Sequence, residues 1–172
     1  CKINIWRHKE ENNINGSGSA ENIWTLGGNK TPIESLCFDD REQCVISGAM
    51  SGTLKVYDLK EGKVARQLRG HSVNCCTIHY HPFGEFIASG SADTTMKVWD
   101  VRQKSCIQTF TGHSKEITCC KFSPDGRWVA SSSKDGSLMI WDLIAGKLLG
   151  QQFNVHLNFS FNFESNFDLK LI

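Results

Sequence analysis

The chain has 172 residues, of which 40% are hydrophobic and 22% are charged, and its formal net charge is +1 at pH 7. This composition is that of a soluble globular protein with a buried core. The near-neutral charge gives no global attraction to nucleic acid or to a membrane surface. No stretch approaches the ~20 apolar residues of a membrane span, and no signal peptide begins the chain. We therefore expect neither nucleic acid nor membrane as a partner.

The eight cysteines include two adjacent pairs, Cys75–Cys76 and Cys119–Cys120. Adjacent cysteines suit neither the spacing of a zinc knuckle nor an easy disulfide. The sequence predicts reduced thiols that serve as small core hydrophobes in a cytosolic protein. It predicts no metal site and no cofactor.

Several motifs recur at an interval of 42 residues. Gly-His dipeptides begin at 70 and 112, Trp-Asp dipeptides begin at 99 and 141, and a Tyr-Asp dipeptide begins at 57. Each interval contains four short segments of alternating apolar character, which Gly, Asp and Pro turns separate. A repeat of ~40–45 residues with four short strands is typical of one β-propeller blade. The sequence predicts an all-β propeller fragment with about three complete blades. Because a closed ring has ~4–8 blades, we expect an open arc.

Residues 1–27 are predicted to form part of a preceding blade with a long loop insertion. The segment CKINIW (1–6) matches the third strand of a later unit. Polar residues rich in Asn, Gly and Ser follow from Arg7 to about Asn22, which indicates a loop. The final strand of this partial blade is expected over Asn22–Gly27.

Residues 28–69 form the first complete unit, which is degenerate. Asn29, Ser47, Ser51 and Tyr57 lie where the later units have His, Ser, Asp and Trp. These replacements cannot build the same hydrogen-bond network, so we expect this blade to be the least rigid. The same unit contains a mildly basic stretch from Lys55 to His71, which indicates a solvated face or a dock for an acidic partner such as a tubulin tail.

The units 70–111 and 112–153 carry two complete polar sets with identical spacing. The sets are His71, Ser89, Asp93 and Trp99, then His113, Ser131, Asp135 and Trp141. In each set the Asp can accept from the imidazole, the imidazole can reach the Ser hydroxyl, and the hydroxyl can accept from the indole N–H. Such a chain of bonds satisfies every buried polar group. We interpret the sets as structural tetrads.

A hydrolase is the alternative interpretation of a Ser/His/Asp set. A catalytic triad occurs once per site, and its serine is exposed on a strained turn. Here the set occurs twice in register with a Trp attached, which favours structure, and we predict no enzyme activity. His79 and His81 flank Tyr80 at an i, i+2 spacing. They could share one face of a metal site, but no third ligand is evident and a surface turn is the default expectation.

The repeat pattern ends at residue 153. Residues 154–172 form a divergent tail rich in Phe and Asn, where another Gly-His would be due. We hypothesise a gene-model artefact. The alternative is a genuine strand, since Val155, Leu157 and Phe159 alternate at period two.

The stretch from Tyr80 to Lys147 resembles the propeller of the regulatory, WD-repeat subunit of katanin. The resemblance is carried by GEFIASGS, VRQKSCI and FSPDGRWVAS, and SGTLKVYDLKEGK and CKINIW fit the preceding blades. It covers about residues 1–153 and is weakest at the insertion after Arg7. HPFGEF and VRQKSC are its more specific segments, because GH, WD and SPDG are common to many propellers.

The resemblance implies a non-catalytic scaffold that targets a microtubule-severing complex. Its expected partners are microtubules or tubulin and centrosomal or spindle-pole proteins, and its expected location is the cytoplasm and cytoskeleton. The AAA ATPase subunit would be bound through a helical region absent from this sequence. The alternative is a WD-repeat adaptor of another pathway, such as a ubiquitin-ligase substrate receptor or a ciliary or chromatin scaffold. The partner-binding residues are not identified by the sequence.

Overall fold

The computed structural model describes residues 1–9 and 19–153. In these residues the chain forms β-strands and turns, and it contains no helix that could cross a membrane. The predicted tail, 154–172, lies outside the described residues.

The described strands form one two-stranded and three four-stranded antiparallel sheets. The two-stranded sheet pairs β1 (Ile3–Lys9) with β2 (Ser19–Leu26). The first four-stranded sheet contains β3 (Ile33–Phe38), β4 (Cys44–Ala49), β5 (Leu54–Asp58) and β6 (Lys63–Leu68). The second contains β7 (Cys75–Tyr80), β8 (Phe86–Ser91), β9 (Met96–Asp100) and β10 (Ser105–Phe110). The third contains β11 (Ile117–Phe122), β12 (Trp128–Ser133), β13 (Ser137–Asp142) and β14 (Lys147–Phe153). The predicted all-β propeller fragment is confirmed.

The predicted loop from Arg7 to Asn22 is too long at both ends. Strand β1 continues through Lys9 and β2 begins at Ser19, with Arg7 opposite Glu21. Ladder hydrogen bonds use only backbone groups, so polar side chains do not prevent strand pairing in an exposed hairpin. Composition alone therefore placed the end of the strand too early.

The four-stranded sheets pack through their first strands, since β7 contacts both β3 and β11. One apolar cluster joins the first and second sheets and includes Ile46, Ile87 and Trp99. Another joins the second and third sheets and includes Met96 and Ile117. The two-stranded sheet packs on the first four-stranded sheet through a third cluster, which contains Ile3, Leu26 and Tyr57.

Glycine allows this close approach. A Cβ atom at Gly90 would lie 2.4 Å from the Ile117 side chain and 2.8 Å from that of Thr77. Gly48 lies in the same position of the first sheet, where a Cβ would lie 2.7 Å from Cys75 Sγ. A side chain at either glycine would therefore push neighbouring sheets apart.

The turn between the second and third strands of each sheet places one residue in the left-handed region. Gly52 and Gly136 take this position in the first and third sheets, with φ of 74° and 80°. Thr94 takes it in the second sheet, with φ of 70°. A β-branched side chain is unfavourable in this conformation. The second sheet therefore contains local backbone strain next to Asp93.

Replacing Thr94 by Gly should relieve this strain. We expect the free energy of unfolding to rise by about 1 kcal/mol, because the steric cost of the left-handed conformation exceeds the added chain entropy of glycine. The reciprocal variant Gly136→Thr should lower it by a similar amount. Urea unfolding followed by tryptophan fluorescence measures both changes. Equal midpoints for wild type and Thr94→Gly would contradict the assignment of strain.

Candidate functional site

The structure brings together the four predicted residues of the second sheet. His71 lies in the loop that leads from β6 to β7, and its Nδ1 atom is 2.9 Å from Asp93 Oδ2. Its Nε2 atom is 2.7 Å from Ser89 Oγ. The indole N–H of Trp99 donates to the same Ser89 oxygen at 2.7 Å. The network connects the inter-sheet loop with β8, β9 and the turn between them.

The third sheet repeats this arrangement. His113 Nε2 lies 2.8 Å from Ser131 Oγ, which accepts from the Trp141 indole at 2.8 Å. His113 Nδ1 lies 3.3 Å from Asp135 Oδ2 and 2.9 Å from Ser137 Oγ. Ser137 therefore joins the network as a fifth member, which the sequence spacing did not reveal.

The partners give each chain of bonds a direction. The indole can only donate and the carboxylate can only accept. We therefore assign the neutral imidazole proton to Nδ1, which donates toward the Asp, while the Ser hydroxyl donates to Nε2. Burial lowers the pKa of both His71 and His113, against the opposing effect of the nearby Asp charge. Both rings are therefore neutral near pH 7.

The carboxylates are held ionised by several donors. Burial alone would raise the pKa of Asp93, but hydrogen bonds from the Thr95 hydroxyl and backbone N–H, with help from His71, lower it to about 2. The donors to Asp135 from Ser137 and the Ser114 backbone likewise outweigh burial, and its pKa lies well below the usual range. Each Asp thus fixes its turn as well as its histidine.

The first four-stranded sheet has a shorter network. Asn29 Nδ2 donates to Tyr57 OH at 2.9 Å and to Ser47 Oγ at 3.3 Å, and all three residues are buried. No hydrogen bond or ion pair links Ser51 to this group in the described residues. The Asn side chain spans the place of the imidazole but reaches no carboxylate, so the turn at Ser51 and Gly52 lacks this anchor.

The serines of the networks are not accessible to a substrate. Ser89 is 0% exposed and Ser131 is 1% exposed. Each hydroxyl oxygen already accepts from an indole, so it cannot approach a substrate carbonyl as a nucleophile must. The arrangement can hold loops in place, and it offers no reacting group to solvent.

Removing one such hydroxyl should destabilise the fold. In Ser89→Ala the Trp99 indole and His71 Nε2 lose their shared partner while buried, so we expect a loss of about 1–3 kcal/mol in the free energy of unfolding. Ser72→Ala is the matched control, because Ser72 is exposed and contributes only its backbone N–H, to Asp93. Denaturant unfolding measures both. A loss for Ser89→Ala no larger than that for Ser72→Ala would contradict the structural role.

His79, on β7, and His81, in the turn that follows β7, connect the second and third sheets; only His81 lies in the expected turn. His79 Nδ1 accepts from the Phe122 backbone N–H at 3.2 Å. His81 Nε2 donates to the Gly126 carbonyl at 3.1 Å, and its ring lies 4.9 Å from that of Phe122. Strand β7 is the edge strand of its sheet that contacts β11 of the next sheet, so its side chains can reach that sheet. Burial lowers the pKa of His79 to about 4, with smaller effects of the Lys121 and His81 charges.

Acid should therefore weaken the contact between these sheets. The folded pKa of His79, about 4, lies below the value of about 6.5 in an unfolded chain. The unfolded state thus binds the extra proton first, and stability falls as the pH drops below about 6.5, by up to about 3 kcal/mol. In His79→Asn the amide oxygen can replace Nδ1 as the acceptor without titrating. We expect a shallower acid dependence of the urea midpoint for this variant. A ring proton titration of His79 near its unperturbed value would contradict the assignment.

A cleft of about 460 Å³ lies between the first and second four-stranded sheets. Its walls come from the turn between β3 and β4, the turn between β7 and β8, and the start of the β9–β10 turn. Residues lining it include Arg41, Arg66, Phe83, Glu85 and Arg102. The Val101 N–H donates to the Glu85 carbonyl, and Arg102 forms an ion pair with the Glu85 carboxylate, so two of the turns are tied together.

Sequence reasoning missed this cleft. Its residues come from five separate segments, and their side chains do not follow the 42-residue repeat. Arg66 belongs to the basic stretch that was predicted to be a solvated face or a dock for an acidic partner. In the structure Lys60, Lys63 and Arg69 are exposed, Lys55 donates to the Gly28 carbonyl, and Arg66 points inward.

The cysteines and the possible metal ligands form no reactive or metal-binding cluster within the described residues. All eight cysteines are free thiols, and burial raises the pKa of Cys75 to about 12. No group of three or more His, Cys, Asp or Glu side chains within residues 1–9 and 19–153 has metal-site geometry.

Three segments of the chain, 20–58, 62–100 and 104–142, match the family model "WD domain, G-beta repeat". The first match begins in β2, the other two begin at the fourth strand of a four-stranded sheet, and each ends at the third strand of the next sheet. No curated protein matches the chain.

Many solved structures share the fold. The "Crystal structure of RRP9 WD40 repeats" superposes with a TM-score of 0.71 at 20% identity, covering 74% of this chain and 40% of that one. The "Structure of U3-55K" gives the same TM-score and identity, and 41% of that chain is covered. The chain therefore spans about two fifths of each of these two solved chains. At 20% identity the likeness shows the fold alone.

Proposed function

Since this chain belongs to the WD40-repeat family, whose model matches more than half of it, we propose that it is the targeting propeller of a katanin-type microtubule-severing complex. The family places it among protein-interaction scaffolds. Its conspicuous polar groups are committed to the buried networks of the second and third sheets. The surface turns remain available for partners.

The katanin proposal is supported by the positions of the two most specific segments of the resemblance. HPFGEF (81–86) and VRQKSC (101–106) are separated along the chain. The Arg102–Glu85 ion pair joins them, and both contribute to the walls of the cleft. The two segments that carry the resemblance most specifically thus lie beside the same cleft. A shared surface of this kind is what a binding role requires.

The proposal assigns tubulin and centrosomal or spindle-pole proteins as partners. It assigns the cytoplasm and the cytoskeleton as the location. The severing ATPase would be held by a region outside this sequence. In this role the propeller contributes location and contacts, and the chemistry belongs to the ATPase.

Co-sedimentation with taxol-stabilised microtubules tests the proposal. We expect the 172-residue chain to pellet saturably with the polymer. Phe83→Ala should weaken this binding about ten-fold, as loss of an interface aromatic typically does. Ile144→Ala is the matched control, because Ile144 is also strongly exposed, at 88%, but lies in the third sheet. Failure to pellet would contradict the katanin assignment and favour an adaptor of another pathway.

A further inference from the structure

The cleft between the first and second four-stranded sheets contains a polar group with an unmet hydrogen-bonding requirement. Arg66 lies on β6 opposite Val56, and its side chain lines the cleft. Its Nε atom is buried, and no described residue accepts a hydrogen bond from it. A buried N–H of a charged group without an acceptor is costly. The Arg66 guanidinium therefore lines the cleft with an N–H that the described residues leave unsatisfied.

Of the three acidic residues that line the cleft, Glu85 and Asp39 have other hydrogen-bond partners, and Asp40 is exposed. The Arg102 guanidinium donates to both oxygens of the Glu85 carboxylate, from Nη2 to Oε1 and from Nε to Oε2, at 3.1 Å each. Asp39 accepts from the Cys44 backbone N–H at 2.7 Å. Burial, with the charge of Asp39, raises the pKa of the Cys44 thiol, so it offers no thiolate to Arg66. Among the described residues, none of these groups accepts a hydrogen bond from Arg66 Nε.

The rim of the cleft adds an apolar surface. Phe83 is 77% exposed, although its ring stands at the mouth of the cavity beside Pro82. Tyr80 forms part of the wall, and burial raises its pKa to about 12, so its hydroxyl remains a neutral donor. A cationic group in the wall and an exposed aromatic ring at the rim suit a ligand with both an anionic and an apolar group.

We infer that this cleft binds an acidic peptide segment of a protein partner. An Asp or Glu carboxylate of the segment pairs with the Arg66 guanidinium, and a neighbouring apolar side chain packs on Phe83. A planar guanidinium accommodates a carboxylate in a two-bond pair. The volume of about 460 Å³ is enough for a few side chains and falls in the range of ligand sites. The inference rests on the proposed scaffold function and specifies its contact surface.

Fluorescence anisotropy tests the inference with two labelled peptides. The first is fluorescein-Gly-Ser-Glu-Phe-Ser-Gly-amide, and the second has lysine in place of glutamate. We expect the full chain to prefer the glutamate peptide about ten-fold, and Arg66→Gln to abolish that preference. Arg66→Lys should restore it only in part, because lysine lacks the planar pair of donors. Amide chemical shifts of the unsubstituted chain should change at the residues that line the cleft.

Arg69→Gln is the matched control. It removes the same charge three residues further along the chain, from an exposed position that does not line the cleft. This variant should leave the preference unchanged. Asp40→Asn removes a negative charge from the rim and should strengthen binding of the glutamate peptide. Because this variant keeps Arg66, it tests the charge preference even if Arg66→Gln fails to fold.

Three results would overturn the inference: equal affinity of the two peptides, preference for the lysine peptide, or shift changes confined to another surface. A preference for lysine would assign the cleft to basic segments held by Asp39 and Asp40. The microtubule experiment has a separate outcome. If the chain binds the glutamate peptide but does not pellet with microtubules, the peptide site stands and the katanin assignment is wrong. If it pellets with microtubules but shows no preference for the glutamate peptide, the katanin assignment stands and the peptide site is wrong.

Discussion

A buried serine hydroxyl between an indole and an imidazole organises the second and third sheets. Ser89 and Ser131 lie in the second strand of their sheets, their Trp partners lie in the third, and their His partners lie in the preceding loop. Each hydroxyl has to satisfy two buried nitrogen atoms, so the three elements can meet in only one register. The Asp at the far end of each chain of bonds then fixes the turn. The position of the loop between sheets follows from this constraint.

The two ends of the sheets consequently have different properties. At one end, the polar networks hold the inter-sheet loops and the turns after the second strands. At the other end, the turns after the first and third strands are held by other contacts, such as the Arg102–Glu85 pair and the His81–Gly126 hydrogen bond. Those turns form the cleft. Variation there does not disturb a buried network, so this end can acquire binding specificity without loss of the fold.

The sequence predicted features that repeat and missed features that do not. The interval of 42 residues gave the four-strand units, and the equal spacing of the two polar sets indicated which side chains would meet. The inward position of Arg66 was not predictable, because an outer-strand arginine in a basic stretch has the same pattern whether it is solvated or buried. His79 and His81 were misplaced for a related reason. Their i, i+2 spacing without a third ligand indicated a surface turn. Only the contact of β7 with the next sheet reveals their partners on Phe122 and Gly126.

The hairpin of β1 and β2 has a consequence for how such a protein can be altered. Its strands pair as far as Lys9 and Ser19, although the equivalent turns after Asp58 and Asp100 span only a few residues. The two strands pack on the first four-stranded sheet through Ile3 and Leu26, which pair at the opposite end of the hairpin from Lys9 and Ser19. The entropic cost of lengthening a connection rises only with the logarithm of its length. This hairpin is therefore a suitable position for grafting a foreign loop, because β1 and β2 take no part in the buried networks of the second and third sheets.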